Sequence, residues 1–329
     1  MPRTAMEIMQ EIKKVCVVGA GAIGSLFVGH LGTLAEVKVL TRRESHARDL
    51  NESGLQVSGK SQLLSRVHAS TDPADLGDVD LIILATKAAA VEASGKRLQG
   101  HFPNAALLLV QNGLGCEQVV HQFGDWPLIS GVTFMSGVRH SDTHVEYELD
   151  TPTWIGPWAK HGPDFALVKQ VAALINASGL KAEAYEDLLP HQWSKLIFNS
   201  AVNAISAITD LPHVKSFAEQ DELTDLGHLV HAMMLEGKTI AAARGVELAD
   251  DPWEMNVQAV SHGQSGDDEY GHVTSMLDDV RNQRHTEVDW ITGSIVREAQ
   301  AAGIPAPYHE TLYRLVKAHE TSWSRKSAT

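Results

Sequence analysis

Up to about residue 187 the apolar residues of this chain come in short runs separated by helix-period stretches, and from Leu188 onward the helical period takes over. Lys14–Val18, Glu36–Leu40, Val79–Ala85 and Ala105–Val110 each read as a strand: short, rich in valine, isoleucine or leucine, and bounded by glycine or polar residues. Ser25–Leu31 follows the first run as a helix, and Thr86–Lys87 opens a helix-like stretch after the third. Gly131–Val138 and His144–Leu149, continuing to Trp154–Gly156, read as extended segments around a polar turn, an antiparallel addition to the sheet. A helix near Phe165–Ala177 and a short strand near Lys181–Tyr185 close the region. This alternation predicts an α/β domain over 14–187 with a doubly wound sheet, behind a lead of residues 1–13, and a C-terminal all-helical domain over 188–329. No repeat of 20 to 50 residues is present.

Inside the helical half, Trp193–Ile208 is apolar almost all the way round, yet it carries a thin polar line. Lys195, Asn199 and Asn203 recur every four residues along one slowly turning face, with Ser206 near its end. A helix apolar on most sides is buried, and buried ammonium and amide groups are costly unless something polar meets them. The line therefore faces a polar cavity, a partner or water. The plain alternative is an exposed stripe on a packed helix. A second polar set, Thr274–Asp279 and Arg284–Asp289, argues against it. There Ser275 and Glu287 stand twelve apart, with Glu287 where Val288, Ile291 and Ile295 begin an amphipathic helix. Taken alone, Glu287 reads equally well as a dipole partner in a first turn, with Thr286 and Asp289 as a capping box.

Composition narrows the partners. With 43% hydrophobic and 21% charged residues over 329 positions, the chain can bury a sizeable core in two domains. A formal net charge of -14 argues against nucleic acid or an anionic membrane as the main partner. No run approaches the roughly 20 apolar residues of a membrane span, and MPRTAMEIMQEIKK lacks the apolar stretch of a secretory signal. Two cysteines, Cys16 and Cys116, suggest no disulfide framework, so a reducing cytoplasm is expected. Among 17 histidines only His140/His144 and His228/His231 are suitably spaced, the first pair in a turn and the second without a third ligand, so no metal site is expected.

The chemistry begins after the first strand. Gly19-Ala20-Gly21-Ala22-Ile23-Gly24 runs from strand into helix, the G-x-G-x-x-G order of a Rossmann dinucleotide site. Gly19 permits the tight turn, Gly21 lets backbone approach a pyrophosphate, Gly24 packs helix on strand, and the helix N-terminus offers N–H groups. The second strand ends in Thr41-Arg42-Arg43, where an NAD site places a carboxylate. Guanidinium groups there suit the 2'-phosphate of NADP (NADPH); a solvated basic loop is the alternative. Lys87 and Asn112 follow the third and fourth strands and point at the cofactor crevice by the carboxyl-end rule, although a lysine there is often only surface.

With these pieces assembled, the chain resembles the ketopantoate reductase (2-dehydropantoate 2-reductase) family from about Lys14 to the last helices. The resemblance rests on GAGAIG at Gly19–Gly24, Arg42, Lys87, QNG at Gln111–Gly113, KLIFNSAVN at Lys195–Asn203, TSMLDD at Thr274–Asp279, RHTEVD at Arg284–Asp289 and GIPAP at Gly303–Pro307. It implies NADPH-dependent reduction of ketopantoate to pantoate in pantothenate and coenzyme A biosynthesis. It also implies an N-terminal Rossmann domain and a helical domain with the active site in the cleft. Lys195 would then be the general acid and Glu287 would contact the substrate's hydroxyl end. Asn199, Asn203 and Ser275 would bind substrate, and Asn112 would bridge cofactor and substrate. The pattern departs from the family at Gln283, where glycine is frequent, and at His272 and His309, where asparagine is. The polar stretch His262–Tyr270 reads as a mobile loop. Reduction of another 2-oxoacid and a non-catalytic NADPH-sensing module are the other readings, and a homodimer through the helical domain is compatible with all of them.

Overall fold

The computed structural model describes residues 12–219, 225–261 and 271–326, with Lys160 and residues 324–326 described by their backbone alone. The stretch read above as a loop, His262–Tyr270, lies outside the described residues. The chain divides into two compact units, one taking residues up to Gln111 and Cys116–Leu188, the other Asn112–Gly115 and everything from Leu189.

In the first unit, β1 (Lys14–Val18), α1 (Ala22–Leu31), β2 (Glu36–Leu40) and α2 (Glu44–Ser53) lead to β3 (Leu55–Gly59), β4 (Leu63–Ser65) and β5 (His68–Ser70). Next come β6 (Leu81–Leu84), α3 (Val91–Leu98), β7 (Ala106–Leu109), α4 (Cys116–Val120) and β8 (Leu128–Thr133). The unit ends with β9 (Ser136–Ser141), β10 (His144–Leu149), β11 (Thr153–Pro157), α5 (Phe165–Ala177) and β12 (Ala182–Ala184). Eight strands form one sheet in the order β12-β11-β8-β7-β6-β1-β2-β5, parallel throughout except where β11 runs against β8. The central strands are apolar without alternation, as Leu81–Leu84 and Ala106–Leu109 show, because a sheet covered on both faces buries every residue.

Two elements differ from the sequence reading. The helix-like stretch after β6 starts as a short 3-10 turn, Ala88–Ala90, with Lys87 as its cap, and α3 follows it. The β9–β10 hairpin does not extend the main sheet; of the expected segments, Gly131–Thr133 at the end of β8 and β11 do. β10 instead pairs in parallel with β3, giving a second sheet in the order β4-β3-β10-β9. The reason lies in its alternation: Val145 and Tyr147 are buried on one face, and α1 packs against this sheet as well as against β1 and β2.

The second unit is built from α6 (Leu189–Thr209), β13 (His213–Val214), α7 (Asp225–Ala243), α8 (Pro252–Ser261) and β14 (Gly271–His272), followed by α9 (Ser275–Arg281), α10 (Thr292–Ala302) and α11 (Pro307–Lys326). Among the described residues it is helical apart from the two-residue ladder of β13 with β14, which the helical patterning did not announce. α6 is its axle, packed by α7, α8, α9, α10 and α11, so nearly its whole circumference is buried. Among the described residues no helix is long and apolar enough to cross a membrane.

Candidate active site

On the first unit the glycine motif forms a tight strand-to-helix turn. Gly19 has φ +92°, and a Cβ there would press to 2.7 Å from Thr86 Cγ2. A Cβ on Gly24 would sit 1.9 Å from the Gly19 carbonyl oxygen, so both positions require glycine. Gly21 is different, since a Cβ on it would meet nothing within 4 Å. Open space thus lies over Gly21 and the start of α1, whose first turn, Ala22-Ile23-Gly24, has no side-chain cap and no acidic residue. An uncapped helix N-terminus with room above it fits the pyrophosphate of a dinucleotide.

The two arginines after β2 part company. Arg43 Nη2 donates to both oxygens of Asp142 in the β9–β10 turn, at 2.6 and 2.7 Å, and is tied down structurally. Arg42 is exposed and has no hydrogen-bond or ion-pair partner among the described residues. Asp142, not the basic character of the loop, decides which guanidinium remains available. Lys87 lies exposed beyond the carboxyl end of β6. Gln111 holds the same strand end through its amide, which donates to the Leu84 and Thr86 carbonyls at 2.8 and 3.1 Å.

On the second unit, the polar line of α6 resolves into distinct roles. Lys195 is 7% exposed, and its Nζ donates to Asn112 Oδ1 at 2.9 Å. Burial pulls the Lys195 pKa down to about 7, opposed by the negative charge of Glu287. Asn203, buried, and Asn199, half-buried, share that helical face; neither side chain has a hydrogen-bond partner among the described residues. Ser206 drops out of the line, since its hydroxyl donates to the Leu211 carbonyl beyond the end of α6. Ser275 is the exposed first residue of α9, whose capping is done by Thr274 Oγ1 accepting from Leu277 N at 3.2 Å, so Ser275 keeps its hydroxyl for other use.

Glu287, also 7% exposed, stands in a turn and not in a first helical turn, because α10 starts only at Thr292. Thr286 and Asp289 form no capping box: Thr286 Oγ1 accepts from Val288 N at 3.2 Å and donates to Glu320 at 2.7 Å. The turn also receives the Asn112 loop. Gly113, at φ +93°, approaches so closely that a Cβ would lie 2.0 Å from the Trp290 carbonyl oxygen, which accepts from Leu114 N at 3.2 Å. That docking is why Asn112–Gly115 belongs to the helical unit, which its place after a strand had hidden.

The departures at 283 and 309 have visible consequences. Gln283 adopts φ +51°, a left-handed conformation that glycine takes without strain. His309 is fully buried, with Nδ1 2.8 Å from Glu236 Oε1 and Nε2 2.9 Å from the Ser200 hydroxyl. His272 lies exposed in β14. Among the described residues no three His, Cys, Asp or Glu side chains gather as a metal set.

Known proteins resemble the chain along nearly its whole length. The family described as ketopantoate reductase PanE/ApbA matches residues 15–160, and its C-terminal family matches residues 187–320. A 2-dehydropantoate 2-reductase of Pyrococcus horikoshii is 32% identical over 308 residues, covering 94% of this chain and 98% of that protein. A crystal structure of a PanE/ApbA family ketopantoate reductase from Ralstonia eutropha JMP134 has a TM-score of 0.81 at 26% identity, over 94% of this chain and 99% of that one. The complex of D-mandelate dehydrogenase with NADH has a TM-score of 0.80 at 25% identity, with the same coverage. Matched in both halves by the family's two parts and along its length by such a relative, the chain belongs to the ketopantoate reductase family.

Proposed function

We propose that this chain is an NADPH-dependent 2-oxoacid reductase whose substrate is 2-dehydropantoate (ketopantoate), reduced to pantoate. The observation that carries the reading is Lys195, an ammonium buried on a helix face, held by Asn112 and brought down to a pKa of about 7. A lysine tuned to that value gives up a proton readily at neutral pH, as an ordinary surface lysine does not. Bound NADPH supplies the hydride. As the carbonyl carbon of the oxoacid accepts it, negative charge grows on oxygen, and Lys195 stabilises that charge and then donates the proton that completes the alcohol.

The surrounding groups suit the rest of such a substrate. Asn199, Asn203 and Ser275, whose side chains have no hydrogen-bond partner among the described residues, offer amide and hydroxyl groups to hold a carboxylate or carbonyl. Glu287 serves as acceptor for a substrate hydroxyl while its charge keeps Lys195 from losing its proton too easily. Arg42, exposed and with no hydrogen-bond or ion-pair partner among the described residues, supports NADPH over NADH, since a guanidinium there can pair with a 2'-phosphate. The relatives named 2-dehydropantoate 2-reductase support the choice of acid. A 2-oxoacid with another side chain is the second reading, favoured by the likeness to D-mandelate dehydrogenase.

Loss of reduced-nicotinamide absorbance with a panel of 2-oxoacids, using NADPH and NADH in parallel, tests both. Ketopantoate with NADPH is expected to give the highest kcat/KM. A preference for phenylglyoxylate would favour the second reading, and NADPH binding without oxidation by any 2-oxoacid would leave a non-catalytic module.

A further inference from the structure

In the turn that carries Glu287, Trp290 N and Ile291 N donate to the Glu287 carbonyl at 3.0 Å and Gly293 N to that of Val288 at 2.8 Å, while Ser294 Oγ and Arg297 Nη1 of α10 donate to the Trp290 and Asp289 carbonyls at 2.7 and 2.8 Å. Its charged side-chain attachment comes from α11. Glu320, 5% exposed, accepts from Thr286 on one carboxylate oxygen, from the backbone N–H at 2.8 Å and from Oγ1 at 2.7 Å. Its second oxygen takes Lys317 Nζ at 3.3 Å and lies 3.4 Å from His285 Nδ1. Lys317 Nζ also reaches Asp289 Oδ2 at 2.9 Å, and the Tyr313 hydroxyl donates to Asp289 Oδ1 at 2.8 Å. Tyr313, Lys317 and Glu320 follow one another at helical spacing, so one face of α11 grips the residue before Glu287 and the second residue after it.

The grip extends to Lys195. The carbonyl of Trp290, the residue after Asp289, receives Leu114 N and meets Gly113, and this contact seats the loop whose Asn112 accepts from Lys195. Apolar packing alone lets a turn slide, whereas charged hydrogen bonds fix distance and direction together. We propose that Glu320 and Lys317 are positioning residues for the oxoacid site, holding the Thr286–Trp290 turn so that the Glu287 carboxylate and the Asn112 amide keep their places beside Lys195. This rests on the function proposed above only for the identity of the ligand.

Glu320→Ala and Lys317→Met test it, the second removing a half-exposed side chain from a helix surface and so leaving folding intact. Both are expected to raise KM for the oxoacid about tenfold or more while KM for NADPH stays within about twofold. Glu320→Gln, whose amide oxygen still accepts from Thr286, recovers most of the loss. A readout independent of turnover is the titration midpoint of Lys195, followed by NMR of the protein carrying 13C-labelled lysine side chains, with Lys195→Met identifying the resonance. Since the Glu287 charge raises that midpoint, it falls in Glu320→Ala and Lys317→Met, in the direction set by Glu287→Gln as reference.

An unchanged midpoint in both variants, or KM values for oxoacid and NADPH that rise together, overturns the positioning role. A wild-type protein that reduces no 2-oxoacid, with the midpoint still falling in the variants, ends the proposed function and leaves the positioning role standing.

Discussion

Lys195 stays where it is against its own solvation, and a pH profile reports what it does there. If it donates the proton, kcat/KM for reduction is level below about pH 7 and falls tenfold per pH unit above, as the ammonium is lost. Lys195→Ala is expected to lose 10²- to 10⁴-fold in kcat, the usual contribution of a general acid, and with it this basic limb. A variant keeping the limb would place the titrating acid elsewhere. Beside the coenzyme the question is which arginine matters. Arg42→Ala is expected to raise KM for NADPH about tenfold with little change for NADH, since one charged hydrogen bond is worth about 1.5–3 kcal/mol. Arg43→Ala should alter the NADPH-to-NADH ratio far less, because Arg43 is committed to Asp142; equal effects from both would contradict this. The arginine pair was legible in the sequence. Its division of labour was not, because Asp142 lies 99 residues away and nothing local marks it as a partner.

Elements set by local periodicity were legible, and those set by distant partners were not. The helix over Phe165–Ala177 and the polar line of α6 follow from spacing alone. The second sheet depends on β10 finding β3, and the helix expected from Glu287 begins only at Thr292, after a turn whose Thr286 N–H is taken by Glu320 of α11. At position 309 the sequence showed only a departure; the structure shows α11 joined to α7 and α6 through it. Glu236 on α7 accepts from the backbone N–H groups of Tyr308 and His309 and lies 2.8 Å from His309 Nδ1. Burial would raise the Glu236 pKa, but these hydrogen bonds outweigh it and hold the carboxyl below its ordinary value. Such a group stabilises the fold above its unfolded pKa, and the contribution is lost as pH falls through the lower folded one. His309→Ala opens a cavity and leaves Glu236 and Ser200 each short of a partner, so about 2–4 kcal/mol of stability should go. Part of the acid sensitivity should go with it. Denaturant unfolding at neutral and acid pH measures both, and a loss below about 0.5 kcal/mol would mean that another group takes over the bonds.

Across the whole molecule, Gly19–Gly24, Arg42 and Lys87, read as binding the coenzyme, fall in the first unit, and Asn112, read as bridging coenzyme and substrate, falls in the second with Lys195, Asn199, Asn203, Ser275 and Glu287. The costly buried ammonium thus belongs to a different unit from the glycine turn and Arg42, and its cost can be measured by a substitution confined to the second unit. An unfolded lysine titrates near 10.5 and the folded Lys195 near 7, so above pH 10.5 both are neutral and burial carries no electrostatic penalty. As pH falls from 10.5 to 7 the unfolded chain takes up a proton that the folded one refuses, and stability declines; below 7 both are charged and the deficit stays constant. Lys195→Met, similar in length and without charge, should therefore be more stable than the wild type by a few kcal/mol at pH 7, with the gap closing towards pH 10.5. Its NADPH affinity, followed by nicotinamide fluorescence, should be unchanged although turnover is gone. A methionine variant no more stable at pH 7, or a gap that does not narrow as pH rises, would mean that Lys195 is already solvated or paired well enough to keep an ordinary pKa, and the case for it as a proton donor tuned by burial would fall.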